Sequence, residues 1–386
     1  MENDNRLPLI GMTLDQLTKV ALSGGMPKFV GKQLAEWLYK KKAVSFDEMV
    51  NISKKNKEWL AENYVIGREK PVSRRKSADG TVKYLFDVGK GREIESVYIP
   101  DKERATLCVS SQSGCKMNCY FCATGRLGFK AQLTPAQIMN QILSIPPRPE
   151  KGETPAGELT NVVFMGMGEP LDNLEAVLPV IEILTAPWGL AWSPKRITVS
   201  TVGKLPQLKD LLEKTQVHVA VSVHTADPEE RGRMMPAQKA FPISNVMKML
   251  SGYDFSHQRR LSLEYIMWRG VNDDIAHADQ LIRLIGGMDC RVNLIPFHAV
   301  PGVELTPATE ERMLMFRNHL NQKGITATIR TSRGEDIMAA CGMLAGSRKG
   351  QDQQDSRRPA DRKEESRSGG QRRGERKDNK KPLNRR

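Results

Sequence analysis

The chain has 386 residues, of which 39% are hydrophobic and 27% charged, a balance typical of a folded protein with a large core. No apolar run is long enough to span a bilayer, and the first residues lack the basic and then apolar pattern of a signal peptide. We therefore expect a cytoplasmic protein with no membrane partner. The net charge of +14 instead favours a polyanionic partner, most simply a nucleic acid.

The first part of the chain has the apolar spacing of helices. From residue 13 to about residue 64, apolar side chains recur three or four positions apart, with an interruption at residues 24–27. Lysines occupy many of the polar positions between them. The pattern predicts a helical domain over residues 1–70 with a basic outer face. Such a face is usually only solvated, but it would also suit a nucleic acid.

Residues 71–100 have the patterns of short strands. Two runs, 82–86 and 94–99, each follow a turn that contains glycine. This arrangement predicts a hairpin or a small β extension.

Beyond residue 104, strand-like and helix-like runs alternate. The strand-like runs are 105–109, 161–165, 196–200, 217–223, 261–267, 291–295 and 325–330. The helix-like runs are 135–145, 174–184, 207–214, 243–250, 275–285 and 310–322. Repeated β–α units predict an α/β fold, in which a parallel sheet is covered by helices. Six to seven units would form an open or incomplete barrel over residues 101–345, with the working loops at the carboxyl ends of the strands.

Three cysteines follow the first of these strands at the spacing C-x3-C-x2-C: Cys115, Cys119 and Cys122. Clustered thiolates usually bind a metal. A structural zinc site needs four protein ligands, and no second pair of ligands follows nearby. Three thiolates instead suit a [4Fe-4S] cluster with one open iron, which could hold the amino and carboxylate groups of S-adenosylmethionine. A zinc site that borrows a distant cysteine, or reduced structural thiols, are the alternatives.

Several polar groups follow later strands. The segment Gly166-Met167-Gly168-Glu169 is not a dinucleotide fingerprint, because Leu171 occupies the position of the third glycine. Ser200 and the run Ser222-Val223-His224 end two further strands. Any one of them is more often a satisfied polar residue at a strand end. Their shared position predicts that together they line a cofactor site.

Two cysteines and a charged tail remain. Cys341 lies among small residues after the last strand, where a cysteine is usually a small buried hydrophobe but could be a nucleophile. Cys290 precedes a strand and is interpreted as structural. Residues 346–386 contain 15 Lys and Arg against 7 Asp and Glu, a net charge of +8, and few apolar residues. They predict a disordered basic tail, which either binds a polyanion or only adds solubility.

Taken together, six motifs resemble the radical S-adenosylmethionine (radical SAM) RNA adenine methyltransferases of the RlmN/Cfr family, and most closely its RlmN branch. They are RATLCVSSQSGC with the cysteines that follow, FMGMGEPLDN, ITVSTVG, VSVHTADPEERG, VNLIPFH and RGEDIMAACG. The resemblance runs from the N-terminal helices to about residue 346. It implies a partial (β/α)6-type radical SAM barrel with an N-terminal helical domain and a small β extension.

The resemblance also implies roles for individual residues. Cys341 would carry the methyl group, Cys108 would resolve the intermediate, and Glu95 would be a proton acceptor. The cluster would be held by Cys115, Cys119 and Cys122. The positions that match contacts to S-adenosylmethionine are Gly168, Glu169, Ser200, Ser222, Val223, His224 and His298. Relatives can have Asn where this chain has His298, so that contact departs from the family pattern.

The implied reaction is methylation of carbon 2 of a specific adenine in 23S rRNA, and of an adenine next to the anticodon in tRNA. Carbon 2 is electron-poor and does not attack a sulfonium methyl, so the methyl group must be transferred by radical chemistry. Two S-adenosylmethionine molecules, a methyl-cysteine intermediate and an external electron donor such as flavodoxin would be used by a monomer. The alternatives are a carbon-8 methyltransferase of the Cfr type, or a cysteine-cluster RNA-binding module that is not an enzyme.

Overall fold

The computed structural model of the chain describes residues 6–146, 157–256 and 259–345. The predicted basic tail, residues 346–386, lies outside the described residues.

The N-terminal part is helical, as predicted. The helices are α1 (Leu14–Ser23), α2 (Val30–Ala35), which continues into a π-helical turn (Glu36–Lys40), and α3 (Lys54–Asn63). α1 begins with a capping box, in which the side chains of Thr13 and Gln16 each accept a hydrogen bond from the other's backbone N–H. Two short strands, β1 (Leu7–Pro8) and β2 (Tyr64–Val65), pair in parallel and join the two ends of this part of the chain.

Ten strands form one sheet, which contains the predicted barrel strands in the order of the chain. Seven of them are parallel: β6 (Arg104–Cys108), β9 (Asn161–Phe164), β10 (Ile197–Thr201), β11 (His218–Ser222), β12 (Leu261–Met267), β13 (Arg291–Pro296) and β14 (Thr326–Ile329). Three antiparallel strands, β3 (Ser73–Lys76), β4 (Val82–Asp87) and β5 (Glu93–Asp101), continue the sheet beyond β6. The predicted β extension is therefore joined edge to edge to the parallel strands.

Helices separate the parallel strands along the chain. The predicted helices are α5 (Pro135–Ser144), α6 (Leu174–Thr185), α7 (Leu205–Lys214), α9 (Ile243–Leu250), α10 (Ile275–Ile285) and α11 (Glu310–Gln322). Sequence analysis missed the short elements β7 (Gln112–Gly114), β8 (Phe129–Gln132), α4 (Ala123–Arg126) and α8 (Pro228–Met234). The sheet has two open edges, at β14 and β3, so the predicted partial (β/α)6-type barrel is confirmed.

The strands are rich in Val, Ile and Leu because both faces of a parallel sheet under helices are buried. Val162, Val199, Val219 and Leu263, for example, are all 0% exposed. The carboxyl ends of the parallel strands meet at one edge of the sheet, and the loops that follow them converge there. Among the described residues, no helix is both long and apolar enough to cross a membrane.

Candidate active site at the carboxyl ends of the strands

A cavity opens where the parallel strands end. Nine of the thirteen residues proposed from the sequence line it: Cys115, Cys119, Cys122, Gly168, Glu169, Ser200, Ser222, His224 and Cys341. Cys108, Glu95, Val223 and His298 are not among its lining residues. The structure thus brings the cysteine motif, the later strand ends and the distant Cys341 to one place.

A small hairpin holds the cysteine loop. β7 and β8 pair in antiparallel fashion on either side of it, and the backbone N–H of Cys115 donates to the carbonyl of Gly128 at 3.2 Å. Gly114 has φ +74°, and a Cβ atom there would lie 1.8 Å from the Gly128 oxygen. Only glycine allows this close approach. The loop is therefore fixed at its base by backbone pairing.

The electrostatics of the loop fit a cationic metal group bound by thiolates. Burial raises the pKa of Cys115 to about 12. Burial, and then the charges of Cys122 and Cys115, also raise the pKa of Cys119. Three neighbouring thiolates in such a site need a positive charge between them to remain ionised.

The spacing of the thiolates also bears on the kind of metal. The ligands of a [4Fe-4S] cluster bind different iron atoms, whereas the ligands of zinc surround a single ion. No three His, Cys, Asp or Glu side chains converge as ligands of a single ion would, in the part of the chain that the structure describes. The motif offers three thiolates, which suit a cluster that keeps one iron open, whereas a structural zinc site needs four protein ligands.

The loop after β9 brings a buried carboxyl group to the cavity. Glu169 is 3% exposed, and its two oxygens accept hydrogen bonds from the backbone N–H groups of Leu171 (3.1 Å) and Val202 (3.0 Å). Burial raises the pKa of Glu169 to about 7. Gly168 has φ +100°, and a Cβ atom there would lie 2.5 Å from the side chain of Gln112. Glycine is thus required for packing against the cysteine hairpin.

His224 follows β11 in a strained conformation. Its φ is +59°, which is uncommon for a residue with a side chain, and the fully buried Asn272 donates to its carbonyl at 2.6 Å. The backbone N–H of Ile266 donates to Nδ1 at 3.1 Å, so the ring proton is on Nε2. Burial, and then the charge of Arg231, lower the pKa of His224 to about 3. The neighbouring Val223 is 0% exposed, so its side chain belongs to the core.

Cys341 reaches the cavity because the chain after the last strand folds back. The backbone N–H of Ala123 donates to the carbonyl of Gly342 at 2.8 Å, and the Thr124 hydroxyl donates to that of Leu344 at 2.6 Å. The segment around Cys341 is therefore bonded directly to α4, which follows the cysteine loop.

The β extension anchors the same segment from the other side. The Ser77 hydroxyl donates to Asp336 at 2.6 Å, and Lys83 Nζ donates to the carbonyl of Met338 at 3.1 Å. Cys341 is exposed as a residue, although its thiol lies among protein atoms that raise its pKa by desolvation.

Cys108 ends β6, the strand that precedes the cysteine hairpin. Burial, and then the charge of Cys341, raise the pKa of Cys108 to about 12. The charge of Arg330 acts in the opposite direction on both thiols. All six cysteines of the chain are free thiols in the structure.

The Glu95 carboxylate forms a buried ion pair and does not line the cavity. Its Oε1 lies 2.9 Å from Lys83 Nζ, and its Oε2 accepts a hydrogen bond from the Ala345 N–H at 2.8 Å. To accept a proton from a substrate, it would have to separate from Lys83. In the structure, Glu95 holds the segment that follows Cys341.

His298 also lies outside the cavity. Its Nε2 is 3.2 Å from the Ser332 hydroxyl, and its Nδ1 is 3.5 Å from a carboxylate oxygen of Glu335. Both partners belong to the segment between β14 and Cys341. These contacts tie His298 to the segment that leads to Cys341, and its predicted contact with the cofactor stays a prediction.

A charged residue that lines the cavity, Glu264, was missed in sequence analysis. Glu264 is 4% exposed in the middle of β12, and burial raises its pKa. Asn293 donates to its Oε1 at 2.7 Å, and Arg330 Nη1 lies 3.6 Å from its Oε2. The available signal was a single charged residue in the apolar strand LSLEYIM, since lone charges are rarely buried without a reason.

Two family models match the chain. That of the Radical SAM superfamily matches residues 109–282, and that of the ribosomal RNA large subunit methyltransferase N-terminal domain matches residues 7–66. A solved structure, that of a radical SAM methyltransferase from Sphaerobacter thermophilus, is 37% identical with a TM-score of 0.82. The match covers 88% of this chain and 100% of that one.

Curated relatives extend over most of the chain. A probable dual-specificity RNA methyltransferase RlmN from Bacteroides thetaiotaomicron is 54% identical over 341 residues, which are 88% of this chain and 96% of the relative. The dual-specificity RNA methyltransferase RlmN of Syntrophotalea carbinolica is 39% identical over 347 residues, or 90% and 91% of the two chains. The predicted resemblance is confirmed: this chain is an enzyme of the radical SAM superfamily and belongs to the RlmN family of dual-specificity RNA methyltransferases.

Proposed function

We propose that the protein methylates carbon 2 of a specific adenine in 23S rRNA and of the adenine next to the anticodon in tRNA. The observation that carries this proposal is that the distant Cys341 lines the same cavity as the three-cysteine loop, while Cys108 ends the strand before that loop, in a chain whose relatives are named as dual-specificity RNA methyltransferases. Two free thiols beside a cluster site suit a reaction that forms and then breaks a bond from protein to substrate. An RNA-binding module that is not an enzyme would need neither of these two thiols.

Membership of the radical SAM superfamily implies S-adenosylmethionine and a [4Fe-4S] cluster. When bound, the two together supply a carbon radical that can activate an otherwise inert methyl group. Cys115, Cys119 and Cys122 are the proposed cluster ligands. The buried carboxyl group of Glu169 would receive the ammonium group of the cofactor, while Ser200, Ser222 and His224 offer further polar contacts in the same cavity.

Cys341 is the proposed methyl carrier. Its thiol must lose a proton before it can accept a methyl group, and the positive charge of Arg330 favours the thiolate. The activated carbon on its sulfur would then bond to carbon 2 of the adenine. The adduct would then lose the proton of carbon 2 and pass one electron to the external electron carrier. The thiolate of Cys108 would attack the Cys341 sulfur, the bond from that sulfur to the bridging carbon would break, and the carbon would take up a proton to become the methyl group, leaving a Cys108–Cys341 disulfide. An external reductant must then restore both thiols, and an external electron donor such as a flavodoxin would supply the electron for the radical chemistry.

Loss of the proton from carbon 2 requires a base. Glu95 is the proposed acceptor, as the resemblance implies, and its release from Lys83 would have to accompany arrival of the RNA. The buried pair would thus couple proton transfer to the position of the Cys341 segment, which the same two side chains hold.

The RNA must present an adenine edge that base pairs normally hide. Enzymes of this kind act on unpaired loops or extrude the base into the pocket. We propose that the basic N-terminal helices and the tail bind phosphate groups, and that the enzyme acts as a cytoplasmic monomer. The alternative target is carbon 8 of the same base, as in enzymes of the Cfr type.

Trapping the intermediate tests this proposal. The Cys108→Ala variant should be isolated with RNA joined to Cys341 through a methylene bridge, because the step that breaks the bond is lost. The double variant Cys108→Ala/Cys341→Ala should carry no RNA. Digestion and mass spectrometry would detect an adenine on the peptide that contains Cys341. Normal turnover by Cys108→Ala, without an adduct, would refute the two-cysteine mechanism.

A further inference from the structure

Arg231 is a buried cation that the proposed mechanism does not use. It lies in α8, is 0% exposed and does not line the cavity. Four N–H groups of its guanidinium donate to neutral acceptors: the carbonyls of Val223 (3.3 Å), Val202 (3.0 Å) and Ser222 (3.0 Å), and the side-chain oxygen of Gln238 (2.6 Å). No carboxylate pairs with it in the part of the chain that the structure describes.

A buried cation without a counter-ion is costly, since several kcal/mol of hydration are lost on burial. Desolvation accordingly lowers the pKa of Arg231 to about 10, still well above neutral pH, so the side chain remains charged. Hydrogen bonds from neutral carbonyls recover only part of the lost hydration. The arrangement therefore indicates that an anion belongs nearby.

The cysteine loop is the neighbour that can provide this anion. The backbone N–H of Tyr120, next to Cys119, donates to the carbonyl of Met234 at the end of α8 at 2.9 Å. Cys119 packs in the same small apolar cluster as Met235 and Val202, and the carbonyl of Val202 bonds to Arg231.

We propose that Arg231 is a fixed counter-charge for the thiolate-bound cluster and raises its reduction potential. A [4Fe-4S] cluster with three thiolate ligands is anionic and gains a further negative charge on reduction. A cation at a fixed position in a poorly solvated site favours the reduced form, and net charge is one of the properties that set cluster potentials. Because Arg231 does not line the cavity, it acts through its field and not by contact with S-adenosylmethionine. This inference rests on the proposed cluster at Cys115, Cys119 and Cys122.

The structural alternative is that Arg231 only ties the ends of β10 and β11 together. The variants Arg231→Lys and Arg231→Gln separate the two roles, because both lose the planar five-donor fork and only Gln also loses the charge. In the anaerobically reconstituted holoenzyme without S-adenosylmethionine, redox titration followed by electron paramagnetic resonance gives the midpoint potential. Arg231→Gln should make reduction at least tenfold less favourable, a shift of about 59 mV to lower potential. Arg231→Lys should change the equilibrium constant for cluster reduction by no more than about threefold relative to wild type.

A second variant leaves the arginine and its hydrogen bonds in place. Gln238→Glu is nearly isosteric and would give Arg231 a carboxylate partner, which cancels its charge. Gln238→Glu should lower the reduction potential, as Arg231→Gln should. It therefore tests the inference even if Arg231→Gln does not fold. The matched control is Gln322→Glu, which adds the same charge at the exposed end of α11 and should leave the potential unchanged.

Equal potentials in wild type, Arg231→Gln and Gln238→Glu, each with a full cluster, would overturn the inference. A shift of the same size in Arg231→Lys and Arg231→Gln would also overturn it, because the hydrogen bonds and not the charge would then be responsible. A wild-type protein that assembles no cluster would instead refute the proposed function, so the two failures are distinguishable.

Discussion

The buried ion pair between Lys83 and Glu95 gives the sharpest test of how the β extension supports the site. The two side chains are 8% and 3% exposed, and the nitrogen and oxygen atoms are 2.9 Å apart. Removing one partner of a buried pair costs about 3–5 kcal/mol. We therefore expect Lys83→Met to lower the free energy of unfolding by about this amount. The double variant Lys83→Met/Glu95→Gln should recover most of the loss.

The chain offers a matched control in a surface pair. Lys19 and Asp15 are 2.6 Å apart but 73% and 72% exposed, and exposed pairs contribute little. Lys19→Met should therefore change the denaturation midpoint only slightly. Denaturation with urea, followed by circular dichroism, compares the variants in the metal-free protein. If Lys83→Met is no more destabilising than Lys19→Met, the interpretation of a buried pair that anchors the Cys341 segment is wrong.

The same double variant separates two roles for Glu95. If Glu95 only anchors the segment, Lys83→Met/Glu95→Gln should fold and methylate RNA. If Glu95 is also the proton acceptor, the variant should fold but fail to complete the reaction, and an RNA adduct on Cys341 should accumulate. Mass spectrometry of the Cys341 peptide distinguishes these outcomes.

Two further predictions concern Glu169 and the tail. Folded Glu169 takes up a proton near pH 7, whereas its ordinary pKa is 4.5, so the metal-free protein should gain stability as the pH falls from about 7 to 4.5. This gain should be smaller in Glu169→Gln, measured by urea denaturation at each pH. Removal of residues 346–386, with their net charge of +8, should weaken RNA binding and make its salt dependence shallower while preserving catalysis at saturating RNA. Unchanged binding in filter assays would show that the tail only adds solubility.

The sequence was sufficient to predict the barrel because its periodic patterns are strong. Runs of β-branched and apolar residues alternate with 3.6-residue apolar spacing, and all seven parallel strands and the six helices proposed between them are present. The cysteine spacing, and its position after the first strand, predicted that the cysteine loop lies at the edge of the sheet where the parallel strands end. Short elements such as β7, β8 and α8 were missed because three to seven residues carry too little periodicity.

Contacts between residues distant in sequence could not be predicted from pattern. Nothing in the composition around Cys341 shows that hydrogen bonds to Ala123 and Thr124, more than two hundred residues earlier, return it to the barrel mouth. The ion pair of Glu95 with Lys83 and the buried position of Arg231 likewise depend on tertiary structure. His298 lies in a recognisable motif, yet its contacts are with Ser332 and Glu335.

The position of the new methyl group on adenine tests the central claim most directly. The reconstituted holoenzyme would be incubated with S-adenosylmethionine, a reductant, and either 23S rRNA or tRNA from a strain that lacks the enzyme. The RNA would then be digested to nucleosides and analysed by mass spectrometry against synthetic standards. We expect 2-methyladenosine from both RNAs, and none from the Cys341→Ala variant. Formation of 8-methyladenosine, or of no methylated adenosine by an enzyme with a full cluster, would contradict the proposed function.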